Sequence, residues 1–363
     1  MTRQNGVISS LRYPIYDVPS LSPAFLNALT FSTQQVAAIH RLGEARGRQQ
    51  LFVQQAPQQL EALRHSAVIE STESSNRIEG IVVAAGRVAE LVDHDATPRN
   101  RSEHEIAGYR DALRLIHDSH EAMSFSTNVI LQLHSMLFQY MAGQGGLWKS
   151  TDNEIVEKDR QGRTVRVRFT ATAAVATPQA METLAGGYRR AIRDYDADPL
   201  VVIPLAILDL LCIHPFRDGN GRIARLATLM LLYQSDYRVG RYVSLERIIE
   251  ESKDTYYEAL ERSSQRWHDS GHDPHPWLDY FWGVLIRAYR EFEERVERLK
   301  GSKTDQVRQA VLRRSGPFGI SDIEADCPGV SRDIVRHVLR QMKSEQVIAP
   351  TGVGRGARWR RVE

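Results

Sequence analysis

An apolar run, PLVVIPLAILDLLCI at positions 199–213, passes without a break into HPFRDGNGRIAR at 214–225. This junction constrains the chain more than any other feature. The run is fifteen residues long and contains Asp209. That is short for a membrane span, so it reads as a buried core helix. The block after it places a histidine, an aspartate, two glycines around an asparagine and two arginines within a few helical turns.

Each residue of the block has a chemistry that fits its neighbours. His214 can act as a base near neutral pH, because an imidazole titrates there. Asp218 is an oxygen ligand of the kind magnesium shares with phosphates and water. Gly219-Asn220-Gly221 lets the backbone turn sharply and approach an anion. The spacing of Ile223, Leu226, Ala227 and Met230 predicts a helix starting near Asn220. Its N-terminus suits phosphate. Arg222 and Arg225 lie three apart on that helix and can both reach phosphate oxygens. Taken singly, each residue reads as an ordinary helix end, turn or solvated arginine. Together they form a site for a nucleotide polyphosphate with a base beside it.

The block resembles the signature of the Fic family, H-x-F-x-[D/E]-G-N-G-R-x-x-R, at every specified position. That resemblance implies a protein adenylyltransferase, a nucleotidyltransferase that moves AMP from ATP, with Mg2+, to a hydroxyl of a protein side chain. It implies that His214 takes the proton from the target hydroxyl and Asp218 holds magnesium. Gly219, Asn220 and Gly221 would form the anion hole, and Arg222 and Arg225 would hold the outer phosphates. Phe216 would be the buried anchor of the loop.

Upstream, SSNRIEG at 74–80 ends a helix that begins near Pro57, with apolar positions Leu60, Leu63, Ala67 and Val68. Gly80 is its C-terminal stop. Alone this is an ordinary helix end. Beside a Fic core, Ser75, Glu79 and Gly80 match the family's inhibitory motif [S/T]-x-x-x-E-[G/N]. A glutamate against Arg225 would neutralise it by a two-point ion pair and occupy the γ-phosphate site. In some family members the same glutamate supports removal of AMP, so Glu79 reads as a brake, a hydrolytic base or both.

Residues 153–170 hold two β-type runs around Gly162, with alternation in Val165–Phe169, and predict a hairpin. The resemblance makes it a flap whose edge pairs with the target backbone. It places nucleotide contacts on Asn153 and Val156. Downstream, Tyr256, Tyr257 and Ser264 fall where relatives contact adenosine. Tyr257 is the aromatic stacking candidate, and Tyr256 reads equally as core.

The whole chain carries 47 basic and 45 acidic residues, but the last sixty-three hold 12 against 7. That makes the tail +5 and the first 300 residues −3. Three short helical patterns and two β runs in this tail resemble a winged helix-turn-helix, with Ser331 as N-cap of the third helix. Arg332, Arg336 and Arg340 share a face of that helix, with His337 beside them. This face would enter a DNA groove while Arg355 and Arg358 reach phosphates. The same pattern also suits a protein–protein module with solvated arginines.

The fold expected is therefore mainly α: a Fic-type helical bundle with a β-hairpin flap, plus a winged helix. Residues 1–100 form an N-terminal region with the inhibitory helix, 101–300 the catalytic core and 301–363 the winged helix. Further helices are expected in 101–141 and near 178–195, 247–265 and 276–300. Candidate partners are a hydroxyl-bearing protein target, the chain itself among them, DNA through residues 331–361, and a second copy in a homodimer. The N-terminus shows no apolar signal segment, and Cys212 and Cys327 show no metal spacing. A cytoplasmic protein with reduced thiols and no membrane contact is the expectation.

Overall fold

The computed structural model describes residues 18–362 except 56, 85, 95, 142–144, 159–160, 162, 300–302, 315, 328 and 352–357. The turn at Gly162, the joint at Gly301-Ser302 and the expected phosphate contact of Arg355 lie outside the described residues. The chain divides into two compact units, 1–290 and 291–363.

The first unit is a helical bundle. Its N-terminal helices are α1 (Pro23–Ala28), α2 (Thr33–Gln55), α3 (Pro57–Ile78) and α4 (Arg87–Asp93). Then come α5 (Arg101–Ser119) and α6 (Thr127–Leu137), followed by the antiparallel strands β1 (Glu154–Lys158) and β2 (Thr164–Thr170). The remaining helices are α7 (Thr177–Arg193), α8 (Pro199–Ile213), α9 (Asn220–Gln234), α10 (Leu245–Glu251), α11 (Lys253–Ser264) and the part of α12 (His275–Leu299) up to residue 290.

Every residue of α8 after Pro199 is buried. A helix apolar on all sides can only be the centre of a bundle, and α8 packs between α7 and α9. Pro204 inside it removes the amide that would bond the Leu200 carbonyl. That carbonyl instead accepts from Trp282 Nε1 at 2.8 Å, and Trp277 Nε1 donates to the Pro204 carbonyl at 2.7 Å. Two indoles of α12 thus keep the buried backbone satisfied. Asp209 lies fully buried on α8. It accepts from Trp267 Nε1 at 2.6 Å and from Ser20, whose oxygen also bonds His272 Nε2 at 2.9 Å. Burial pushes its carboxyl up to about 7.

One expectation changes. One helix over 247–265 becomes two, because Ser252 caps α10, bonding the Ile248 carbonyl at 2.8 Å and Tyr280 at 2.9 Å. A serine hydroxyl of this kind competes with the helix ladder. Residues 33–55 form one long helix that runs through Gly43 and Gly47, two weak helix formers.

The second unit contains α13 (Lys303–Leu312), α14 (Ile320–Asp326), α15 (Arg332–Ser344) and an antiparallel pair, β3 (Ile348–Thr351) and β4 (Arg358–Arg361). Val307, Val311, Phe318, Ile323, Val335, Val338, Leu339, Met342 and Ile348 make its own core. Ser331 is the N-cap of α15, as expected, but its side chain makes no capping bond. Among the described residues, no helix is long and apolar enough to cross a membrane.

Candidate functional site

The site forms where α8 ends and α9 begins. His214 caps α8 in a left-handed conformation, φ 50°. The chain then turns through Phe216, which is completely buried. Asn220 closes the turn: its Oδ1 accepts from Phe216 N at 2.9 Å and its Nδ2 donates to Phe216 O at 2.8 Å. Gly219, at φ 82°, is the N-cap of α9, and only glycine takes that conformation freely. A Cβ there would also stand 3.0 Å from Leu137 and Phe138. The first α9 bond is Ile223 N to Gly219 O at 2.9 Å, so the amides ahead of it have no intrahelical acceptor. Free amides at a helix start suit an anion.

A cavity of about 560 Å³ opens beside this end. His214, Gly221, Arg225 and Glu79 line one part of it. Leu208, Leu211, Val156, Phe169, Tyr256, Tyr257, Leu260, Glu261 and Ser264 are among its other lining residues. Arg168 and Lys253 are also in the lining, so the cavity combines charged groups and a helix N-terminus with apolar and aromatic walls. Tyr256 is almost wholly buried, and Tyr257 is half-buried. Ser264 bonds the Glu261 carbonyl at 3.2 Å. Asn153 does not line the cavity. Its side chain joins Lys149 to the Phe216 carbonyl.

His214 Nδ1 lies 3.3 Å from the Leu211 carbonyl. A proton on Nδ1 for that bond leaves the Nε2 lone pair free. Burial, helped by the Lys149 cation, lowers the imidazole to about 4, so it is neutral at pH 7. Asp218 is largely exposed and accepts from the Gly219 amide at 2.6 Å.

Both arginines are buried, and each is paired. Arg222 donates to Glu105 at 2.6 Å and lies 3.5 Å from Asp218 and from Asn76 Oδ1. Arg225 Nε donates to Ser75 Oγ at 2.8 Å, and its Nη2 donates to the Ser75 carbonyl at 2.8 Å and to Glu79 Oε1 at 2.7 Å. The ion pair therefore runs through one carboxylate oxygen, not through the two-point fork expected. Ser75 takes Nε and shares Nη2 with Glu79. A Cβ on Gly221 would lie 2.3 Å from Glu79 Oε1, so the carboxylate fills the space next to the helix end. Gly80, at φ 81°, stops α3 at this point.

Four residues that the sequence reading missed support the loop. Gly146 N donates to His134 Nδ1 at 3.0 Å, so His134 Nε2 carries the proton it gives to the Asp218 carbonyl at 3.1 Å. The His134 ring stacks on Phe216, with centroids 3.7 Å apart. Burial lowers this imidazole to about 4. Glu105, Lys149 and Asn76 are the others, each buried against the loop or its arginines. Only a folded chain brings these groups together, and no local pattern marks them.

The hairpin is latched to α11. Arg166 and Arg168 both reach Glu261, at 2.8 and 3.8 Å, and His268 Nε2 bonds the Thr170 carbonyl at 2.8 Å. Val165 and Val167, on the alternate face, are exposed.

The sequence model of the Fic/DOC family matches residues 124–232. A Fic family protein from Desulfovibrio desulfuricans G20 shares the fold with a TM-score of 0.62 and 20% identity, over 92% of this chain and 97% of that one. A Fic domain containing signaling protein from Bacteroides thetaiotaomicron VPI-5482 gives 0.58 and 21%, over 72% and 98%. Fic-1 from C. elegans gives 0.56 and 18%, over 74% and 73%. A stretch of 59 residues is 41% identical to part of the ribonucleoside-diphosphate reductase small chain of Ostreid herpesvirus 1 (isolate France). The match covers 16% of this chain, which spans about a tenth of the length of that curated relative.

Proposed function

Residues 124–232 are a Fic/DOC family domain, and from that premise we propose that the chain is a protein adenylyltransferase held off by its own helix α3. The observation that carries this reading is the cavity in which a neutral His214, the amide end of α9 and the Arg225–Glu79 pair meet. The adenine ring of ATP occupies the apolar part against Tyr257, and the phosphates lie at the α9 N-terminus. His214 takes the proton from a target hydroxyl, and that oxygen attacks the α-phosphorus. A P–O bond forms to the target, the bond to pyrophosphate breaks, and AMP stays on the protein.

The residues fit a divalent ion brought in with the nucleotide. Asp218 offers one exposed carboxylate beside the phosphate position, the usual protein share of a magnesium site. No group of three or more metal-binding side chains converges elsewhere among the described residues. When bound, the ion would neutralise phosphate charge. Glu79 occupies the position that the outermost phosphate needs on Arg225, so productive binding requires α3 to release it. The test is label transfer from ATP carrying radioactive α-phosphate, with the Glu79→Gly chain and cell lysate. Protein-bound label that disappears on adding His214→Ala supports the reading, and no label in any variant overturns it.

A second reading uses the same carboxylate. Glu79 lines the cavity with His214, which also suits alignment of a water for removing AMP from modified protein. Pre-labelled protein would then lose its label only with Glu79 intact.

The second unit supports a nucleic-acid reading. Arg332, Arg336, Arg340, Arg358 and Arg360 are all exposed on α15 and β4, and a winged helix would turn such a face to DNA. Salt-sensitive binding to duplex DNA is expected. No shift in a gel titration at low salt would remove it.

A further inference from the structure

The segment leading into the β1–β2 hairpin is bonded to the loop around His214 at three points. Lys149 N donates to the Pro215 carbonyl at 2.9 Å, and Lys149 Nζ donates to the Ile213 carbonyl at 3.0 Å. Asn153 Nδ2 donates to the Phe216 carbonyl at 3.1 Å. The two donor side chains are themselves joined, Lys149 Nζ to Asn153 Oδ1 at 2.8 Å. The acceptors are the residue before His214 and the two residues after it.

Two features make this more than a surface tie. Lys149 is buried, and its ammonium donates to a backbone carbonyl and a side-chain amide, with the Asp152 carboxylate acting on it only through its charge. A buried ammonium whose hydrogen bonds go to neutral acceptors is costly to place. His214 meanwhile holds φ 50°, a conformation that a non-glycine residue keeps only where its surroundings over-determine it. The Lys149 and Asn153 bonds grip the backbone on both sides of that residue.

We propose that Lys149 is a positioning residue that couples the hairpin to the catalytic loop, with Asn153 as its relay. The coupling keeps the His214 imidazole in register with the hydroxyl that the hairpin edge presents. Loss of the coupling leaves the nucleotide cavity intact and misplaces the base. This rests on the transferase reading for its kinetic arm only. The mechanical coupling stands apart from it.

The experiment uses the full chain in the Glu79→Gly background, with Lys149→Met, Lys149→Arg and Asn153→Ala added separately. Steady-state transfer is measured together with amide hydrogen exchange in the nucleotide-free proteins. Lys149→Met is expected to lower kcat about a hundredfold, the scale of a small misplacement of a reacting group, with KM for ATP unchanged. Lys149→Arg, which keeps the donors, is expected to recover most of kcat. Exchange is expected to rise together at 149–156 and 213–218 in both Lys149→Met and Asn153→Ala. A kcat for Lys149→Met within about twofold of its parent overturns the proposal. So does faster exchange confined to 149–156 with the 213–218 loop as protected as before. Were Glu79→Gly itself to transfer nothing, the functional reading would fall, and the exchange data alone would decide the coupling.

Discussion

Glu79 Oε1 lies 2.7 Å from Arg225 Nη2, across 146 residues of sequence and between the turn that ends α3 and helix α9. The guanidinium is buried and also bonded to the Ser75 side chain and carbonyl, so α3 engages it at three points. An anion that needs this guanidinium must displace part of α3.

Ser75→Ala tests the supporting contact separately from the carboxylate. It strands the buried Arg225 Nε, a loss of about 1–3 kcal/mol, and weakens the seat of α3. The expected outcome is a lower Tm and a rise in basal transfer smaller than that of Glu79→Gly. Transfer unchanged from the wild type would mean that Ser75 does not help hold the helix.

Arg222 depends on Glu105 in the same way. Glu105→Ala leaves a guanidinium buried without its main partner, which typically costs about 3–5 kcal/mol. A chemical denaturation curve should show that loss, and calorimetry should show weakened ATP binding in whatever fraction stays folded. Glu105→Ala with full stability would contradict the pairing.

Pro204 and Trp282 should be energetically linked. Trp282→Phe leaves the Leu200 carbonyl buried and unbonded, at about 1–3 kcal/mol. Pro204→Ala restores the amide that can bond it, so the double variant should recover part of the loss. Additive effects in that cycle would show that the indole is not replacing the missing backbone bond.

Stability should depend on pH in two opposed ways. Burial lowers His117 to about 3 and His134, His214 and His272 to about 4. The unfolded chain binds those protons first, so stability is present above about 6.5 and lost as pH falls toward 4. Asp209 acts with the opposite sign. Its folded value is about 7, so between about 4 and 7 the folded state holds the proton and stability falls as pH rises. Melting curves of wild type and Asp209→Asn should therefore differ most steeply across that window, by up to roughly 1.4 kcal/mol per pH unit. A difference that stays constant from pH 4.5 to 7.5 would rule out titration of Asp209 there.

The sequence revealed what is local. The turn and helix start at 219–220 follow from Gly219 and the spacing of Ile223, Leu226 and Met230. Gly80 marks the end of α3, and the alternation at 165–169 marks β2. Long-range pairings were invisible. Glu105 meets Arg222 across 117 positions and Lys149 meets Ile213 across 64, and neither has a periodic signature. The partnership of Glu79 with Arg225 was legible only through the family motif, which did not show that Ser75 shares the guanidinium. α2 was obscured by its own glycines. The break at Ser252 depends partly on Tyr280, from another helix.

The most direct measurement is intact-protein mass after incubation with ATP and magnesium, for the wild type, Glu79→Gly and Glu79→Gly/His214→Ala, each with and without added cell lysate. The account predicts an AMP-sized gain, on the chain or on a lysate protein, that is large for Glu79→Gly, small for the wild type and absent from the double variant. An equal gain in wild type and Glu79→Gly would contradict the brake, and a gain that survives His214→Ala would contradict the base.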